Sequence, residues 1–115
     1  MSDLKLQTKL IGTEIALVEA SGQLDADTYR VLEAKLRELL SRGRNKLVLK
    51  LDQLEYISSA GAGVLIGAAA SARERGGNLV LLDPHPHVRE VFDYLGLSQM
   101  LAVAEDRESA LAALR

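Results

Sequence analysis

The chain lacks cysteine and tryptophan, and its 115 residues include one phenylalanine, three tyrosines, two prolines and two histidines. Without cysteine there is neither a disulfide framework nor a thiolate metal site, a composition that suits a reducing compartment and leads us to expect a cytoplasmic protein. An aromatic content of 3% leaves no base-stacking platform, and 14 basic against 16 acidic residues exert no general pull on a phosphate backbone. Direct nucleic-acid binding is therefore not expected, and a protein partner is. The longest apolar run, Ala60 to Ala70, falls well short of the roughly 20 residues that span a bilayer, so membrane insertion is not expected. Met1-Ser2-Asp3-Leu4-Lys5 has no signal-peptide layout. A chain of this length fits a single domain over residues 1–115, burying roughly two-thirds of the surface exposed when unfolded.

Familiar catalytic and ligand motifs are missing too. Gly61-x-Gly63-x-x-x-Gly67 misses the dinucleotide spacing by one residue, and no lysine follows the glycines as a phosphate-cradling loop requires. His85-x-His87 stands in a proline-rich stretch without a third ligand, whereas a catalytic zinc needs three. No G-x-S-x-G elbow supports a serine nucleophile. We expect no catalysis, no cofactor and no metal.

What is present is a clear alternation of patterns. Leu4, Leu6, Thr8 and Leu10 alternate with Lys5, Gln7 and Lys9, the period of a strand, and Glu14 to Ala20 reads as its hairpin partner across Ile11-Gly12-Thr13. Ser21 to Asp25 should close that hairpin. Leu32, Leu36, Leu39 and Leu40 then mark an amphipathic helix from about Asp27 to Gly43, with Asp25 or Asp27 available as cap. Lys46 to Leu51 reads as a buried strand, followed by a loop carrying Ser58 and Ser59 and a helix from about Ala60 to Arg75 that Gly76-Gly77 ends. Asn78 to Asp83 gives another strand, Pro84 and Pro86 a loop, and Val88, Val91, Phe92 and Leu95 a short helix. Met100 to Val103 and about Glu105 to Leu114 supply a last strand and helix. The expected fold is α/β, one mixed sheet of about five strands with about four packed helices.

The organising stretch is Leu51 to Gly67. Either Ser58 or Ser59 can cap the helix, whose interior glycines each forgo about 1 kcal/mol of helix propensity relative to alanine. Such a helix is expected to lie tightly on the sheet, with its bare N-terminal end open to a partner. Ser58-Ser59-Ala60-Gly61 followed by Ala62-Gly63-Val64 resembles the signature of the STAS domain, in particular that of the bacterial anti-sigma factor antagonists. The element order, Gly22-x-Leu24-Asp25, Phe92-Asp93-Tyr94-Leu95-Gly96-Leu97 and Glu108-x-Ala110-Leu111 resemble that family as well. Ser58 stands where the family has an acidic residue, and Ala60 where it has a second hydroxyl. Read locally, Gly22 to Asp25 needs only the role of turn and cap.

The resemblance implies a partner-switching regulator. It assigns phosphorylation to Ser59, with Ser58 as the alternative acceptor, and a partner-binding surface to Asp25, Ser58, Ser59, Ala60, Gly61 and Gly63. The implied partners are an anti-sigma factor that is also a serine kinase of the histidine-kinase-like ATPase fold, and a PP2C-type serine phosphatase. A second reading is a non-phosphorylated STAS scaffold subunit of a signalling assembly or of a lipid or anion transport system. A third is an anion or nucleotide site on the backbone N–H groups of Ser58 to Gly63.

Overall fold

A computed structural model describes residues 3–115; Met1 and Ser2, the start of the stretch considered above for a signal peptide, lie outside the described residues. The elements are β1 (Leu4–Ile11), β2 (Ile15–Leu24), α1 (Tyr29–Ser41), β3 (Lys46–Ile57), α2 (Ser59–Glu74), β4 (Asn78–Leu82), α3 (Pro86–Tyr94), a 3₁₀ turn (Leu97–Gln99), β5 (Ala102–Ala104) and α4 (Arg107–Ala113). The strands form one sheet in the order β1-β2-β3-β4-β5. β1 runs antiparallel to β2, and β2 to β5 are mutually parallel.

This order fixes where the helices go. Each parallel connection steps to the next strand in the same direction, and right-handed crossovers taken in one direction place their helices on one face. Accordingly α1, α2 and α3 share a core with Leu47, Leu49, Leu79 and Leu81, into which Leu32, Leu36, Leu65 and Phe92 pack, all essentially inaccessible to solvent. Only α4 crosses to the other face, where Ala110 and Leu114 cover Leu17, Val48, Val80 and Leu82. With helices on both sides, β4 is buried at every position from Leu79 to Leu82.

Two strands are longer than their sequence patterns suggest. β2 does not stop at Ala20 but continues through Ser21-Gly22-Gln23 to Leu24, and β3 does not stop at Leu51 but runs on to Ile57. The reason lies in their pairing, whose register slips between Glu19 and Ser21 and again between Gly22 and Gln23, each slip adding one residue on the β3 side. A bulge of this kind turns the following side chains over. The inward residues of β3 are therefore Leu47, Leu49, Leu51, Leu54 and Ile57, spaced by two and then by three, which hides the strand from a period-two reading. Gly22 sits at the second slip with φ +106°, and a Cβ there would lie 2.2 Å from the Asp3 carbonyl oxygen.

Other boundaries move by less. α1 begins at Tyr29, and neither Asp25 nor Asp27 is its N-cap; that position is Thr28, whose hydroxyl donates to the Gln23 carbonyl instead. Pro86 is the opening residue of α3, where a missing N–H is harmless, and not part of a loop. α2 ends as expected: Gly76 adopts φ +83° and the Gly77 N–H returns to the Ala72 carbonyl.

The bulged register makes a test. Strict alternation from Leu51 would point Leu54 outward, whereas the structure buries it and exposes Gln53 and Glu55. Leu54→Ala should cost about 2–5 kcal/mol in urea unfolding, and Gln53→Ala or Glu55→Ala no more than about 0.5 kcal/mol.

Candidate functional site

The paired serines lie at the carboxyl end of β3, beside the carboxyl end of β2. The Ser58 N–H donates to the Leu24 carbonyl at 2.8 Å, which ties the start of α2 to the connection that leads into α1. Ser58 has extended backbone angles, and its Oγ accepts the Gly61 N–H at 3.2 Å. It is thus the N-cap, satisfying one of the helix's orphan donors. Ser59 is the first helical residue and is exposed; its hydroxyl has no protein partner among the described residues. Two adjacent serines, equivalent in the sequence, have divided the work: one is engaged in the fold and the other is free.

The glycines of α2 divide in the same way. Gly61 is buried, and a Cβ there would stand 2.6 Å from the Leu24 Cγ and 3.0 Å from the Leu24 carbonyl oxygen. Close approach explains this glycine, which faces the interior and not a partner. Gly63 and Gly67 are exposed, with nothing within 4 Å of a built Cβ, so α2 lies on the sheet through Ala62, Leu65, Ala69 and Ala72, and of its glycines only Gly61 is required by close approach. At intervals of four, Ser59, Gly63 and Gly67 fall on one face of α2. Gly63 and Gly67 line a groove of about 400 Å³ between α1 and α2, with Leu36 and Val64 in its floor and Arg37 and Arg75 among its lining residues.

Asp25, half-buried, organises the connection into α1. Its Oδ1 accepts the Asp27 N–H at 2.9 Å and the Thr28 hydroxyl at 3.2 Å, and its own N–H donates to Thr28 Oγ1 at 3.0 Å. Ala60 is half-buried beside Ser59. Asp25, Ser58, Ser59, Ala60 and Gly61 therefore belong to two connections joined by the Ser58–Leu24 bond, and Gly63 extends them one turn along α2. Sequence reasoning overlooked Tyr56, two residues before Ser58 and 51% exposed. Its outward position follows from the second bulge, which the amino-acid pattern conceals.

The histidines have a local task. His85 is the N-cap position of α3, its Nδ1 accepting the His87 N–H at 3.2 Å, and the two rings meet edge to face. The His85 N–H also donates to the Leu51 carbonyl.

An α/β platform with three helices on one face, one on the other, and a free serine opening the second helix defines a recognisable class. The family model described as "Mlab, STAS domain" matches residues 12–103, and the chain belongs to the STAS family. BtrV of Bordetella bronchiseptica, provisionally designated an anti-sigma factor antagonist, is 39% identical over 107 residues, spanning 93% of this chain and 90% of that protein. The fold is similar to that of a Thermotoga maritima protein with the same provisional designation, at a TM-score of 0.85 and 21% identity over 96% of this chain and 94% of the other. It is also similar to the Bacillus cell fate determinant SpoIIAA in its phosphorylated form, at a TM-score of 0.73 and 23% identity over 96% of this chain and the whole of that one.

Because the serines and glycines have separate tasks, their substitutions should separate too. Ser58→Ala should lower stability by about 1 kcal/mol through loss of the cap, and Ser59→Ala by no more than about 0.5 kcal/mol. Gly63→Ala should stabilise the fold by up to about 1 kcal/mol, while Gly61→Ala should destabilise it. Thermal and urea unfolding of the four variants check all four signs.

Proposed function

We propose that this protein is an anti-sigma factor antagonist that works by partner switching. In its unmodified form it binds an anti-sigma factor which is also a serine kinase of the histidine-kinase-like ATPase fold, and so releases a sigma factor. Phosphorylation of Ser59 by that kinase ends the interaction, and a PP2C-type serine phosphatase restores it. ATP belongs to the kinase; this chain is a binding protein and a substrate, not an enzyme.

The observation that carries the reading is the unequal state of the two serines: Ser59 is exposed with a free hydroxyl, and Ser58 is held as the cap. Similarity to BtrV and to a protein known in a phosphorylated form supports it. Phosphorylation would add a charge of about −1.5 to −2 at the first turn of α2, where the helix dipole and the unpaired N–H groups favour an anion. The fold therefore tolerates the modified state. A partner packed over Ser59, Ala60 and Gly63, and against the neighbouring Asp25 connection, would instead meet bulk and charge where only small side chains stood.

Ser59→Asp should weaken binding to the anti-sigma factor by at least about tenfold, 1.4 kcal/mol, while its melting temperature stays near that of the wild type. Ser59→Ala should bind but accept no phosphate from the kinase and ATP, as read by intact mass. A phosphate found on Ser58 would reassign the acceptor. An unmodified chain that co-purifies with scaffold or transport components would leave Ser59 as an ordinary first-turn residue and discard the switch.

A further inference from the structure

Among the described residues, Thr28 is the one buried polar residue. It stands at the N-cap of α1, where a threonine hydroxyl ordinarily accepts an N–H of the helix's first turn, yet it makes no such bond. The hydroxyl turns back toward the end of β2 instead. Its proton goes to the Gln23 carbonyl at 2.7 Å, shared with Asp25 Oδ1 at 3.2 Å, and its oxygen accepts the Asp25 N–H at 3.0 Å. One buried hydroxyl thus holds the peptide groups on both sides of Leu24.

The Asp25 N–H and the Leu24 carbonyl belong to the same peptide unit, which is planar. Its N–H points at Thr28 Oγ1, and its carbonyl accepts the Ser58 N–H at 2.8 Å. Thr28 therefore sets the tilt of the plane from which the start of α2 hangs, and hydrogen bonds in such a series strengthen one another. The Leu24 side chain leaves no slack beneath, since it already fills the space that a Cβ at Gly61 would need. We infer that Thr28 is a positioning residue for the Ser59 hydroxyl, acting through the Leu24–Asp25 peptide and the Ser58 N–H. The same bonds hold the Asp25 connection level with Ser59, so that both are presented together.

Under the partner-switching reading, on which this role rests, Ser59 Oγ forms a bond to the γ-phosphorus of ATP while the bond from that phosphorus to the bridging oxygen breaks. ADP leaves with the electron pair, and the hydroxyl proton passes to a base on the kinase. The rate of such a transfer depends steeply on where the attacking oxygen stands. Loss of the Thr28 hydroxyl should then slow the chemical step more than it weakens binding, because contact with the partner is spread over Ser59, Ala60 and Gly63.

Thr28→Val keeps the shape and loses the hydroxyl, whereas Thr28→Ser keeps the hydroxyl and loses a buried methyl. With the anti-sigma factor kinase and ATP, below the melting temperature of every variant, Thr28→Val should lower kcat for Ser59 phosphorylation at least about tenfold and change KM for this chain by no more than about threefold. Thr28→Ser should stay within about threefold of the wild type in both, although it too is less stable. In the free protein, amide exchange at Ser58 should be at least about tenfold faster in Thr28→Val than in the wild type, beyond any change at Leu65 inside α2. Should Thr28→Val not fold, Thr28→Ala carries the same comparison with Thr28→Ser. A phosphorylation rate that merely follows thermal stability across the variants, or a Ser58 amide indifferent to Thr28→Val, would overturn the role of Thr28 and leave the switch standing. A wild-type chain that the kinase does not phosphorylate on Ser59 would overturn the switch and this role with it.

Discussion

The parallel pairing of β2 with β3 is the constraint on which the rest of this molecule hangs. It brings together two segments whose only covalent link is the connection through α1, and it carries both sheet irregularities. Those two slips lengthen β3 relative to β2, so that the chain reaches Ser58 level with Leu24 and can donate its N–H there. Without the extra residues the start of α2 would be displaced along the sheet from the Asp25 connection, and the two halves of the candidate site would part. The core follows from the same pairing, since Leu54 reaches the helical face only because the strand is bulged, and the second slip returns Ile57 to the same side.

Local chemistry explains how much of this could be read from the amino acids. The order of strands and helices was legible because parallel strands write long apolar runs, such as Leu79 to Leu82, and α1 writes Leu32, Leu36, Leu39 and Leu40 at helical spacing. The carboxyl halves of β2 and β3 were not, because a bulge replaces the spacing of two with a spacing of three and borrows turn-like residues such as Gly22. Thr28 took the cap position of α1 from two nearby aspartates because Asp25 was already engaged in holding the turn before it. Proline at the head of α3 was misread as a breaker for want of knowing which side of the boundary it stood on.

At the candidate site the residues were legible and their division of labour was not. Ser58, Ser59, Gly61 and Gly63 announce a helix start in any reading. Which serine caps, and which glycine is there for packing, depends on Leu24, more than thirty residues earlier in the chain. Leu24 receives the Ser58 N–H on its carbonyl and fills the space under Gly61 with its side chain. That one buried leucine ties down Ser58 and requires glycine at position 61.

The contact of Gly61 with Leu24 has a consequence for time. A helix end seated without clearance on a neighbouring connection leaves the two no room to slide past each other at Gly61. Under the proposed switch, the interval between one state and the other is then set outside this chain, by how fast a kinase adds phosphate and a phosphatase removes it. Such a switch would keep no memory beyond the phosphate itself, and its response would follow the ratio of two enzymes from moment to moment.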